Sequence, residues 1–168
     1  MSDWAVRRRH TGKDQKRRPR RTTAGSREFV IEESLGYLVN RAARMMAHEL
    51  GERLRPAGVG IGQWAVLMFL WARDGMSQAE LSRVVAIEPP TMVRTIDRMV
   101  RDGFVKRVPD PGDGRVTRIY LTERGRALRD ELVPHAAAVN AATLRRLTPD
   151  EAQSLRTLLA KLTRAADP

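Results

Sequence analysis

The sequence predicts a mainly helical fold carrying one small β-wing: a winged helix-turn-helix, flanked at both ends by longer helices. Three observations predict it. Apolar residues recur at a period near 3.6 through most of the chain beyond residue 28. Two capping-box sequences open helices within that pattern. One block of β-branched and aromatic residues, divided by a run of turn formers, interrupts it.

Taken in order, the elements are as follows. Over 29–55, Leu35, Leu38, Val39, Ala42, Met45, Met46 and Leu50 keep helical spacing, and Pro56-Ala57-Gly58 stops the helix. A second helix is expected over 62–73. Its stretch 64–72 is apolar nearly all round and predicts a central buried helix. In Ser77-Gln78-Ala79-Glu80 the hydroxyl can accept the Glu80 amide hydrogen while the carboxylate reaches back, so a helix is expected over 78–85. Ala86-Ile87-Glu88 then turns the chain, and Pro89-Pro90 opens a helix that ends at Gly103. Met92, Ile96, Met99 and Val100 form its inward stripe, leaving Thr91, Arg94, Thr95, Arg98 and Arg101 largely elsewhere. Residues 104–108 and 116–121 read as two strands around the turn-forming segment 109–115, a hairpin with a basic tip. A long helix over 122–147 places Leu128, Leu132 and Val139 along one side, with Pro134 inside it as an expected kink. Thr148-Pro149-Asp150-Glu151 caps a final helix over 149–164, whose Leu155, Leu158, Leu159 and Leu162 form a narrow stripe.

Composition sets the function classes. The 168 residues suit one domain with an appendage, and 42% hydrophobic residues can bury a real core. A formal charge of +11 points to a polyanionic partner, nucleic acid before an anionic membrane surface. Residues 1–28 hold +7 of it, the other 140 residues only +4. This basic N-terminal arm has too few apolar residues to offset the entropy of ordering and is expected to be disordered alone. It reads either as a DNA-contacting arm or as a solvated tail. With no cysteine in the chain, disulfides, thiolate metal sites and thiol redox sensing are excluded. The longest apolar run, nine residues, is about half a bilayer span, and a cytoplasmic, nucleoid-associated protein is expected. His10, His48 and His135 are scattered, no nucleophile–base pair or phosphate-binding glycine loop appears, and neither a metal, a cofactor nor an enzymatic activity is expected.

The segment 77–121 carries the chemistry. Two short helices across a three-residue turn are a helix-turn-helix candidate, and a hairpin directly after the second helix is a wing. Arginine can bond guanine O6 and N7 together, and threonine can reach phosphate or a thymine methyl. The wing can place Arg115 in the minor groove beside the major groove occupied by the helix. A surface helix whose arginines merely keep it soluble would share the first pattern, but helix, turn, helix and wing together are a rarer combination.

Over 35–162, about three quarters of the chain, the sequence resembles the MarR family of homodimeric winged-helix transcriptional regulators. The resemblance rests on Gln63-Trp64-Ala65-Val66-Leu67, Gln78-Ala79-Glu80-Leu81-Ser82 and Glu88-Pro89-Pro90-Thr91-Met92-Val93-Arg94. It continues through Asp97-Arg98-Met99, Gly103-Phe104-Val105, Asp113-Gly114-Arg115 and Leu121-Thr122-Glu123-Arg124-Gly125. The arm lies outside it.

The resemblance implies a MarR-type domain over 29–168, with dimerisation helices in 29–60 and 122–168 and the reader head in 61–121. It places Thr91, Arg94, Thr95 and Arg98 at the major groove, Pro89 and Pro90 at the helix opening, Ser77 and Gln78 near phosphate, and Arg115 in the minor groove. Asp113 is expected to orient the wing. Tyr37, Arg41, Met45, Trp64 and Met68 match the region where relatives bind small aromatic or anionic effectors. The implied function is a homodimeric repressor of double-stranded DNA, bound to a pseudo-palindromic operator and released by an effector. The alternative is an architectural or assembly protein that coats DNA through the arm with little sequence preference.

Overall fold

The computed structural model describes residues 29–164. The arm, and with it the expectation placed on 1–28, lies outside the described residues. Along the chain run α1 (Leu35–Leu54), α2 (Ile61–Ala72), β1 (Met76–Ser77), α3 (Gln78–Val85), α4 (Pro89–Arg101), β2 (Val105–Pro109), β3 (Thr117–Leu121), α5 (Glu123–Leu144) and α6 (Pro149–Arg164). Short 3-10 turns occupy Ile31–Glu33 and Arg55–Ala57.

The first helix starts at Leu35, the first residue of the apolar spacing, and not at residue 29. Ser34 is extended, and its hydroxyl oxygen accepts the Tyr37 amide at 3.4 Å, so the helix is capped there. α2 corrects a second expectation. Trp64, Val66, Leu67 and Leu70 are buried, but Met68 and Phe69 are exposed. Neighbouring elements cover one side of this helix and leave the other open. In α5 the helix continues through Pro134.

The core gathers side chains from every element of the reader head. Leu54, Leu67 and Leu70 meet Leu81 of α3, Met92, Ile96 and Met99 of α4, and Ile119 of β3, all fully buried. Burying each such side chain stabilises the fold by about 1.5–3 kcal/mol. The three strands form one antiparallel sheet in the order β1-β3-β2, with Val105 opposite Leu121 and Met76 opposite Ile119. β1, absent from the sequence reading, has two residues, too few to show alternation.

Two junctions fix the sheet to the helices. The Asp74 carboxylate accepts the Gly75 amide at 3.0 Å, the Leu121 amide at 2.9 Å and the Arg126 guanidinium at 2.8 Å. At the start of α5, Gly125 packs so closely on the Phe104 carbonyl that a side chain cannot fit without displacement. Its own carbonyl accepts the Trp71 indole N–H at 2.9 Å. At the end of α3, Ala86 adopts a left-handed conformation (φ 56°), the one non-glycine residue with positive φ among the described residues. The conformation lets the Ile87 amide reach the Ser82 carbonyl at 3.1 Å and close the helix end.

α6 makes little contact with the rest of its own chain. Its leucine stripe is open, Leu158 being 57% exposed, and so are Leu35, Leu38 and Val39 on α1. Among the described residues, that stripe is not packed on its own subunit.

Candidate nucleic-acid interface

The candidate site is built on α4. Pro89 and Pro90 occupy its first turn, where a missing amide hydrogen costs nothing, and the Glu88 carbonyl accepts the Thr91 and Met92 amides at 3.0 Å each. Met92, Ile96 and Met99 anchor one face in the core. The opposite face presents Thr91, Arg94, Arg98 and Arg101, all exposed. Val100, expected on the inward stripe, is 37% exposed, because the buried face is narrower than the apolar spacing suggests. Thr95 is half-buried, and its hydroxyl donates to the Thr91 carbonyl at 2.9 Å, so its polar group is engaged by its own helix.

Charge on this face is selectively neutralised. Asp97 pairs with Arg107 of β2 at 2.7 Å, which ties the helix to the wing. Arg101 lies 3.3 Å from Asp102. Arg94 and Arg98 have no ion-pair partner among the described residues, and both guanidinium groups are free to face an anion. From behind, the buried Gln63 amide donates to Asp102 at 2.8 Å while its oxygen accepts the Gly60 amide at 2.8 Å. It joins the start of α2 to the end of α4, and the sequence offered no sign of that role beyond the Gln-Trp pair itself.

The α3 start matches its capping box. The Glu80 amide donates to the Ser77 hydroxyl at 3.2 Å and the Ser77 amide to the Glu80 carboxylate at 2.7 Å. The Ser77 amide, then its hydroxyl, hold the Glu80 carboxyl below its ordinary value, with Arg73 adding attraction at 3.0 Å. Gln78 is half-buried beside Ser77.

The wing tip is shaped by a carboxylate that the sequence reading missed. Asp110 accepts the Gly112 amide at 2.8 Å and the Asp113 amide at 3.0 Å, and pairs with the Arg118 guanidinium, which also donates to the Gly75 carbonyl at 3.0 Å. Arg118 first, and those two amides after it, hold the Asp110 carboxyl below the usual carboxylate range. The Asx pattern in a Pro-Asp-Pro-Gly-Asp segment was the available signal. Asp113 accepts the Arg115 amide at 2.9 Å, the orienting role expected of it. The Arg115 side chain is exposed and without an ion-pair partner among the described residues.

The fold brings four predicted contacts from three elements together. Ser77, Gln78, Pro89 and Arg115 surround a cleft of about 470 Å³ between the starts of α3 and α4 and the wing. The effector candidates are more dispersed. Met45 lines a second cleft, of about 460 Å³, between α1 and α5, together with Met46, Glu49, Thr143 and Arg146. Tyr37 is half-buried and Arg41 exposed earlier on α1, and Met68 lies on the open side of α2. Trp64 is buried in the core, its ring edge-on to Trp71 at 5.5 Å between centroids. Among the described residues, no group of His, Asp or Glu could hold a metal, and no helix is long and apolar enough to cross a membrane.

Comparison with known proteins gives one consistent result. The MarR family model matches residues 61–117. HTH-type transcriptional repressors of Mycobacterium tuberculosis and Mycobacterium bovis are each 31% identical over 128 residues, spanning 76% of this chain and 92% of the relative. A MarR transcriptional regulator from Methanosarcina mazei Go1 superposes with a TM-score of 0.74 at 27% identity, covering 78% of this chain and 94% of that one. A cysteine-to-serine mutant of MarR from E. coli, complexed with operator DNA, superposes at 0.73 with 26% identity, covering 80% and 99%.

Proposed function

The chain belongs to the MarR family of transcriptional regulators, and on that premise we propose that it is a homodimeric repressor of a pseudo-palindromic operator, released by a small aromatic or anionic effector. Its work is DNA binding and transcriptional control, not catalysis. The observation that carries the reading is the set of unpaired cations Arg94, Arg98 and Arg115 on one basic face of α4 and the wing.

In this reading α4 enters the major groove, with Arg94 and Arg98 at base edges and Thr91 at phosphate or a thymine methyl. Thr95 contributes through its surface rather than its engaged hydroxyl. Ser77 and Gln78 hold a phosphate at the start of α3, Pro89 and Pro90 set the approach of α4, and Arg115 enters the minor groove. The open apolar faces of α1 and α6 pack against a second copy, which would otherwise leave an exposed leucine stripe in water. Twofold symmetry then spaces two α4 helices about 34 Å apart, one DNA turn. Tyr37, Arg41, Met45, Trp64 and Met68 form the effector region of the helical part, acting by differential affinity for two spacings of the reader heads.

Selection of binding sites from sheared genomic DNA at near-physiological salt tests this reading. The expected result is an enriched inverted repeat with half-sites about ten base pairs apart. Broad, motif-free recovery with a steep salt dependence would replace it with the arm-driven architectural protein.

A further inference from the structure

The exposed side of α4 carries apolar surface as well as charge. Val93, in the second turn, is 39% exposed, and Pro89 and Pro90 are exposed in the first. Positions three and four apart are neighbours on a helix surface, so Val93 lies beside both prolines. One turn further on, the carboxylate of Asp97 is held by Arg107 of β2 at 2.7 Å, which neutralises the group that would otherwise repel DNA next to Val93. Arg94 follows Val93 directly and has no ion-pair partner among the described residues. A small apolar patch thus sits inside a surface whose free cations attract a polyanion. Valine at this position does not serve the helix itself. A β-branched side chain lowers helix propensity, and Val93 lies outside the buried set of Met92, Ile96 and Met99.

We propose that Val93, backed by Pro90, is a specificity-determining residue that reads the C5 methyl group of a thymine in each half-site. In the major groove the base edges present hydrogen-bond donors and acceptors, and thymine alone adds a methyl group. An apolar patch at the entering end of a groove-reading helix therefore has one base that can cover it. The branched side chain has one strongly preferred rotamer in a helix, so its methyl groups are in place before DNA arrives. Thr91, two positions earlier, points to the other flank of α4, which leaves its hydroxyl for phosphate. The inference rests on the DNA-binding reading above and names a determinant of its specificity.

The test removes one methyl group at a time from the DNA. The duplex selected from genomic DNA is rebuilt with each thymine replaced in turn by deoxyuridine, which differs only in lacking that methyl. Competition binding at fixed salt compares wild type, Val93→Ala and Thr91→Ser. Wild type is expected to show a position in each half-site where deoxyuridine weakens binding about fourfold, the factor for one buried methyl group. Changing both half-sites together weakens it about fifteenfold. Val93→Ala binds the thymine and deoxyuridine duplexes equally at that position and keeps the wild-type response elsewhere. Its urea midpoint equals or exceeds that of wild type, because alanine is the better helix former at an exposed site, so lost discrimination is not lost fold. A duplex in which no thymine responds to deoxyuridine overturns the inference, as does full discrimination by Val93→Ala. Loss of discrimination in Thr91→Ser alone overturns it too, and assigns the methyl contact to Thr91. Motif-free selection is a separate failure, which removes the DNA-binding reading and this inference with it.

Discussion

Substituting Gly125 by alanine tests whether α5 and the wing root are locked together as described. A Cβ at this position overlaps the Phe104 carbonyl oxygen and lies 3.1 Å from the Phe104 carbonyl carbon and 3.2 Å from a Leu121 methyl carbon. Backbone, not a flexible side-chain end, stands in the way, so the chain must move by about 1 Å, and overpacking of that kind costs about 1–3 kcal/mol. The displaced carbonyl is the acceptor for the Thr122 amide at 3.0 Å and its hydroxyl at 3.1 Å. Weakening these adds about 1–2 kcal/mol. Replacing a helical glycine returns about 1 kcal/mol through backbone entropy. The net expectation is a loss of about 1–4 kcal/mol, or roughly 2–16 °C in Tm for a chain of this size. Urea unfolding at fixed protein concentration reads it, with Gly62→Ala as the control. Gly62 is helical and exposed with open space where its Cβ would go, and its substitution is expected to leave stability unchanged or raised. A Gly125→Ala midpoint equal to that of wild type refutes the close approach.

Four further outcomes are expected. Glu80→Gln weakens the α3 cap only where the native carboxylate is ionised. Because the folded group titrates below its ordinary 4.5, the stability advantage of wild type is complete above about pH 4.5 and disappears as pH falls through the depressed value, read by thermal melts across pH. Arg98→Ala lowers affinity for the selected operator by about 1–3 kcal/mol and relaxes preference at one base pair, read by competition with single-base variants of the site. Deleting residues 2–28 flattens the dependence of log K on log salt, and an unchanged slope removes the arm from the interface. Leu158→Glu converts the particle to monomer in analytical ultracentrifugation while the circular dichroism spectrum is retained, since Leu158 is outside the core of its own chain.

The helical frame was legible because its signals are local. Two capping boxes located the starts of α3 and α6 to the residue, and the Pro89-Pro90 pair did the same for α4. The hairpin strands were displaced by only a residue or two, as expected where no cap marks an end. What escaped was set by contacts distant in sequence. The open side of α2 depends on which elements cover it, and no run of nine apolar residues reveals that. Gln63 meets Asp102 thirty-nine residues away, and Asp74 meets Arg126 at a separation of fifty-two. Within the candidate site, residue identities were readable but their states were not. Thr95 looks like a free hydroxyl until its bond to Thr91 is seen. Ser82 looks like a routine helix residue until its hydroxyl is found buried with no hydrogen-bond partner among the described residues.

The turn after α3 gives the protein a reserve of evolvability. Ala86 holds a backbone conformation whose steric cost, roughly 1 kcal/mol for an L-residue with a Cβ, glycine escapes. Alanine and glycine codons differ at a single base, so this strain is one mutational step from relief. Changes in α4 that retune operator preference tend to erode stability, as most substitutions do. Ala86→Gly would act as a general suppressor of such losses at a position outside the basic face, letting the lineage explore new binding sites without crossing the threshold at which the fold fails.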